Sequence, residues 1–316
     1  MATKTAFLFP GQGAQQVGMM ADLAEASPAA KAVFRRADEL LGFSLSGLCF
    51  TGPPERLNAT DISQPAIFVC SAAALAAMTE SLAGRLGAPV MLAGLSLGEY
   101  TALYAAGAID FGPALRLVAL RGQLMQQAAE QCPSGMVSIL GLDEAKVLEL
   151  CRAAVGNGGC LVPANFNCPG QIVVSGDLAS CQKAAELAGS FGASGAVPLE
   201  VAGAFHSPFM QPAADQLAEA IRNVEIRPPR WPVLSNVDAA VHGEPESIRR
   251  KLVHQVTSPV RWEQSVRAML SAGVTGFVEI GPGRVLAGLM RRIDRAAAVR
   301  SVNSADSLAK LAGETA

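Results

Sequence analysis

The feature that most restricts this chain is an alternation of short and long apolar patterns. Short β-branched or apolar runs, TAFLFPG (5–11), PVMLAGLS (89–96), WPVLSN (231–236), GFVEIGPG (276–283) and AAVRSVN (297–303), read as strands. Between them, LAEASPAAKAVFRRADELLG, SQPAIFVCSAAALAAMTE, FGPALRLVALRGQLMQQAAEQ and RWEQSVRAMLSAG carry apolar residues at helical spacing. Strands alternating with helices predict a parallel sheet with helices on both faces, the α/β class. At 316 residues the chain suits a large domain with an insertion, or two domains.

The rhythm breaks in the middle. From GMVSILGL (135–142) the order is strand, helix (DEAKVLELCRAA), two strands around NFNCPGQIVVSG, helix (SCQKAAELAGSFG) and strand (SGAVPLEV). That βαββαβ order is ferredoxin-like. It predicts a small subdomain at 134–199, inserted into a discontinuous core of 1–133 and 200–316.

Hydrophobic residues make up 50% and aromatics only 5%, so the interior is expected to be built from Ala, Leu, Val and Ile. A formal charge of −2 gives no global attraction to nucleic acid or anionic lipid. The longest apolar run, AIFVCSAAALAAM (66–78), is shorter than the roughly 20 residues of a membrane span and reads as a buried helix. The N-terminus enters a strand within a few residues, which leaves no room for a signal peptide and suggests a cytoplasmic protein. Seven cysteines without a C-x-x-C motif favour reduced, buried thiols over disulfides or a metal site.

GLSLG (94–98) fits G-x-S-x-G in the strand-then-helix setting that makes the motif meaningful. Glycines allow a strained turn that lifts Ser96 to the top of the sheet, beside the positive end of the next helix. A plain turn with a capping or buried serine fits the motif equally well. A nucleophile needs a base, and the histidines are His206, His242 and His254. His242 lies in the polar stretch DAAVHGEPES and reads as solvated, while His254 closes a helix where the dipole explains it. His206, in VAGAFHSPFM just past the insertion, leads as the base.

FPGQG (9–13) lacks the third glycine of a dinucleotide fingerprint, since Gln16 stands there, so its turn suits backbone amides aimed at a reacting oxygen. EIGPGRVLAGL (279–289) reads as a tight strand-to-helix connection. Arg121, within LVALRGQLMQQ, is an isolated charge among apolar residues. It calls either for an ion pair with one of the 27 acidic residues or for a substrate carboxylate.

Taken together, FPGQGAQ, GLSLGEYTAL, LRGQLMQ, ANFNCPGQIVVSG, GAFHSPFM, SPVRW and EIGPGRVL resemble the malonyl-CoA:acyl-carrier-protein transacylase family, in the same order and from residue 7 to about 290. The resemblance implies an α/β-hydrolase-like core with a ferredoxin-like insertion. It implies Ser96 as nucleophile, His206 as its base, and Gln255 holding His206 through an oxygen in place of an acidic third member. Gln12 and Leu97 would supply oxyanion-hole amides, and Arg121 would bind the malonyl carboxylate. Phe205 and Asn165 would line the substrate site. Many family members have a histidine before the nucleophile where this chain has Leu95.

The implied reaction is ping-pong malonyl transfer from coenzyme A to the phosphopantetheine thiol of an acyl carrier protein, with no cofactor and no metal. Arg284, Arg291, Arg292 and Arg295 are candidates for receiving an acidic carrier, RRIDR (291–295) being the densest basic cluster, although a solvated helix face accounts for them as well. A monomer is expected. A serine hydrolase, a discrete polyketide acyltransferase and a non-catalytic carrier-binding protein are the competing readings.

Overall fold

A computed structural model describes residues 4–83, 85 and 87–314. The outer ends of the expected core, 1–3 and 315–316, and positions 84 and 86 lie outside the described residues. The first half contains β1 (Thr5–Phe9), α1 (Ala21–Ala26), α2 (Pro28–Leu41), α3 (Leu45–Thr51), α4 (Pro54–Asn58), α5 (Thr60–Leu82), β2 (Met91–Gly94), α6 (Gly98–Ala105) and α7 (Phe111–Gln131). Next come β3 (Ser134–Leu140), α8 (Glu144–Ala154), β4 (Leu161–Cys168), β5 (Gln171–Asp177), α9 (Leu178–Leu187) and β6 (Gly195–Pro198). The last part holds α10 (Gln211–Arg222), α11 (Pro245–Gln255), α12 (Trp262–Ser271), β7 (Gly276–Ile280), α13 (Val285–Ile293), β8 (Ala298–Val302) and α14 (Ala305–Glu314).

Two sheets result. The larger has order β2-β1-β7-β8 with every pair parallel. Its central strands β1 and β7 are buried along their whole length, as a sheet covered on both faces requires. The smaller is antiparallel with order β4-β5-β3-β6, the ferredoxin-like arrangement in which the first and third strands of the βαββαβ unit lie at the centre. Val137, Ile139, Val147, Leu150, Phe166, Val174 and Ala184 form a separate core between this sheet and helices α8 and α9.

One expectation changes. WPVLSN is not a full strand: Val233 makes one parallel bridge to Leu92, and Leu234 one antiparallel bridge to Val241. The chain turns back at Ala239, whose φ is 55°, before a longer ladder can form. The 66–78 run lies within the longer helix α5, which includes Pro65. By length and composition α5 could cross a membrane, yet 83% of its most apolar window is buried inside the protein. All seven cysteines are free thiols.

Candidate active site

Backbone contacts between β1 and the G-L-S-L-G turn build the site first. A Cβ on Gly94 would lie 1.9 Å from the carbonyl carbon of Gly98, and one on Gly98 would lie 2.1 Å from the carbonyl oxygen of Phe9. Both glycines are therefore required for close approach rather than for unusual dihedrals. The strained residue is Ser96 itself, at φ 51°. The turn ends directly at the N-terminus of α6, whose positive end faces the serine.

His206 arrives from the opposite side. Its turn is tied to the small sheet, because Ser175 Oγ on β5 donates to the Phe205 carbonyl at 2.7 Å and the Ala204 N–H donates to Ser134 Oγ at 3.0 Å. A Cβ on Gly203 would meet the Ala129 side chain at 2.6 Å, so the turn presses against α7. His206, also at positive φ (58°), places Nε2 2.8 Å from Ser96 Oγ. Its Nδ1 lies 2.8 Å from the backbone carbonyl of Gln255. A carbonyl only accepts, so the proton resides on Nδ1 and Nε2 keeps the lone pair facing the serine. Burial, then the neighbouring Arg121 charge, lowers the His206 pKa to about 4, against the hydrogen bonds to the Gln255 and Ser258 backbone.

Arg121 projects from α7 and is 1% exposed. One Nη1 hydrogen bond goes to Gln64 Oε1 at 2.5 Å; Nη2 donates to Ser96 Oγ and to Gln255 Oε1, both at 3.0 Å. Among the described residues its Nε has no hydrogen-bond partner, and the guanidinium lies 5.4 Å from the centroid of the Tyr100 ring. Burial lowers the guanidinium pKa and pushes the Tyr100 phenol up to about 12. Among the described residues no carboxylate forms an ion pair with Arg121, so the ion-pair alternative drawn from the sequence is absent from the site.

Ser96, Arg121 and His206 line one cleft of about 670 Å³, together with Gln12, Leu97, Asn165 and Phe205. Met125, Met136, Val173, Val201 and Leu289 give it apolar walls. Among the described residues, the N–H groups of Gln12 and Leu97 donate no hydrogen bond within the protein. Every site residue expected from the sequence is thus brought together, except that Gln255 is part of the network behind the cleft rather than of its lining.

The comparisons with known proteins follow this geometry. A family model for the acyl transferase domain matches residues 6–314. A malonyl CoA-acyl carrier protein transacylase of Bacillus subtilis is 45% identical over 293 residues, 93% of this chain and 91% of the relative. The Escherichia coli K12 protein of the same name is 41% identical over 97% of this chain and 98% of its own length. This chain belongs to that transacylase family. Among solved transacylase structures, the Xanthomonas oryzae enzyme superposes with a TM-score of 0.94 at 42% identity, covering 99% of this chain and 98% of that one. A malonyl-transacylase in complex with a type II PKS acyl-carrier protein gives 0.94 at 41% identity, covering 99% and 100%.

The transacylase site also contains residues that sequence reasoning missed. His242 is not solvated: its side chain is fully buried, and its Nε2 lies 2.7 Å from Glu99 Oε1. The single bridge at Leu234–Val241 folds the polar stretch under the sheet edge, where the Glu99 carboxylate supplies a partner. Glu99, Asn236 and Gln64 were not singled out. The only available signal was an acidic residue directly after G-x-S-x-G inside an otherwise apolar turn. EIGPGRVL is a tight connection as read, and its buried Glu279 accepts from the Leu286 and Ala287 N–H groups at the start of α13.

Proposed function

We propose that this protein transfers a malonyl group from malonyl-CoA to the phosphopantetheine thiol of an acyl carrier protein through a malonyl-serine intermediate. The observation that carries the reading is Ser96 Oγ held between His206 Nε2 at 2.8 Å and Arg121 Nη2 at 3.0 Å in one cleft.

His206 takes the Ser96 proton as Oγ attacks the thioester carbonyl, and the Gln12 and Leu97 amides receive the oxyanion. As the tetrahedral intermediate collapses, the carbon–sulfur bond breaks and His206 returns the proton to the coenzyme A thiolate. In the second half-reaction the carrier thiol gives its proton to His206 and attacks the malonyl ester; the carbon–Oγ bond breaks and Ser96 Oγ takes the proton back from His206. The Gln255 carbonyl stabilises the transient imidazolium by accepting from Nδ1–H, a part more often taken by a carboxylate. Arg121 receives the malonyl carboxylate, and a buried cation left unpaired by acetyl rejects that group. Asn165 and Phe205 bound the acyl space. The reading uses no cofactor or metal.

The carrier approaches over α13, past exposed Arg284 at its N-terminus and exposed Arg291, Arg292 and Arg295 at and just beyond its C-terminal end, and the protein acts as a cytoplasmic monomer. Intact-mass analysis after mixing with malonyl-CoA alone tests the reaction. A malonyl adduct mapping to Ser96, absent with acetyl-CoA, is expected; steady coenzyme A release without an adduct would assign a hydrolase instead.

A further inference from the structure

Behind the cleft lies a buried polar cluster with no contact to the substrate space. Glu99, the second residue of α6, and His242 both have side chains with no exposure. Glu99 Oε1 faces His242 Nε2; Oε2 accepts from Gln255 Nε2 at 2.6 Å and from the Asn236 N–H at 2.9 Å. Among the described residues, three nitrogen donors and no acceptor surround the carboxyl group.

The two amides receiving this carboxylate hold the nucleophile. Asn236 Oδ1 accepts from the Ser96 N–H at 2.6 Å, while Asn236 Nδ2 donates to the Gly94 carbonyl at 2.7 Å. Gln255 Nε2 also donates to the Ser96 carbonyl at 3.0 Å. Both backbone groups of the strained serine are thus held by side chains of residues that Glu99 anchors, Gln255 through its amide and Asn236 through its backbone N–H. An amide has a donor end and an acceptor end, and Glu99 accepts from the donor end of Gln255. With Gln255 Nε2 drawn to the carboxylate, its Oε1 must face Arg121 Nη2. A flipped amide would set two N–H donors against each other at Arg121.

We propose that Glu99, seated on His242, is a positioning residue for acyl transfer, fixing the Gln255 amide and the Asn236 backbone so that both residues hold Ser96 at positive φ and Gln255 orients Arg121 over its oxygen. The inference rests on Ser96 being the nucleophile and is independent of which acyl group it takes. It makes geometry, not negative charge, the contribution of Glu99. In Glu99→Gln the new Oε1 accepts the same two N–H groups, and its amide nitrogen donates to His242 Nε2 once the histidine proton moves to Nδ1, which has no hydrogen-bond partner among the described residues. Glu99→Asp keeps the charge but withdraws the oxygens by one methylene.

The test is the rate at which a fluorophosphonate, which carries neither carboxylate nor coenzyme A, labels Ser96 in wild type, E99Q, E99D and E99A, alongside kcat and KM for malonyl-CoA. Labelling and kcat are expected to fall about 100-fold in E99A, with KM within about threefold, and E99Q to recover to within about fivefold. E99D should be slower than E99Q. Should E99A not fold, the order of E99Q and E99D decides. Wild-type labelling rates in all folded variants, or an E99D faster than E99Q, would overturn the proposal. Failure of the wild type to use malonyl-CoA while still labelling would overturn the proposed reaction and leave this inference standing.

Discussion

At the scale of single residues the site is a contest between burial and charge. Arg121 carries a full charge at 1% exposure with an Nε that finds no hydrogen-bond partner among the described residues, and the Gln255 amide separates it from the Glu99 carboxylate. A malonyl carboxylate would supply the missing counter-charge, whereas acetyl offers none. Arg121 also donates to Ser96 Oγ, so Arg121→Ala should slow both donors but unequally. Its kcat/KM is expected to fall on the order of 100-fold more for malonyl-CoA than for acetyl-CoA, and equal losses would refute the clamp. His206 has the opposite problem, since its burial favours the neutral ring that a base must present. With a folded pKa of about 4 against an ordinary 6.5, the native state refuses a proton that the unfolded chain accepts between those values. Stability from this group is therefore present above pH 6.5 and lost as pH falls toward 4. In urea unfolding, the advantage of wild type over His206→Asn should shrink by about 3 kcal/mol from pH 7 to pH 4. Activity should follow the same group, with the acid limb of kcat/KM centred near pH 4.

At the scale of elements, the alternation of strands and helices was legible because each carries its period in consecutive residues. The four parallel strands and the βαββαβ segment were read in that way. Legibility failed where a long-range partner decided the outcome: WPVLSN has strand composition, but it turns at Ala239 after single bridges. His242 was misread for the same reason, since Glu99, 143 residues away in sequence, removes the need for water. G-x-S-x-G was legible as a motif, but its physical cause was not. Strain resides in Ser96, and the glycines make room for neighbouring backbone. Gly98→Ala therefore has no cheap accommodation, because the added methyl meets the Phe9 carbonyl oxygen rather than a movable side chain. It should cost about 3 kcal/mol, at the upper end of overpacking, or abolish folding. Urea midpoints for Gly98→Ala and for Gly288→Ala, where an added Cβ meets nothing within 4 Å, would separate this contact from a general effect of replacing glycine.

At the scale of the whole molecule, function depends on how two sheets share one cleft. The parallel sheet carries Ser96, the small sheet secures the His206 turn, and α13 runs along the mouth through Val285 and Leu289. Arg292 at the basic end of that helix donates to Gln171, itself part of the cleft lining, at 2.8 Å. Arg284, Arg291, Arg292 and Arg295 enter no ion pair among the described residues, so their charge remains available to a partner. An acidic carrier delivering its thiol to Ser96 would pass this end of α13, where charge attraction reaches over roughly the 8 Å Debye length at physiological salt. Charge attraction of this kind acts mainly on encounter, so it should appear in the carrier kcat/KM and fade with salt. Replacing Arg292 by Glu is expected to lower carrier kcat/KM about tenfold at low ionic strength, with convergence toward wild type at 1 M salt. Formation of the acyl-enzyme from malonyl-CoA, followed by mass in the same buffers, should change far less. An equal loss in both half-reactions would mean that Arg292 acts through Gln171 on the cleft itself, and that the carrier docks elsewhere.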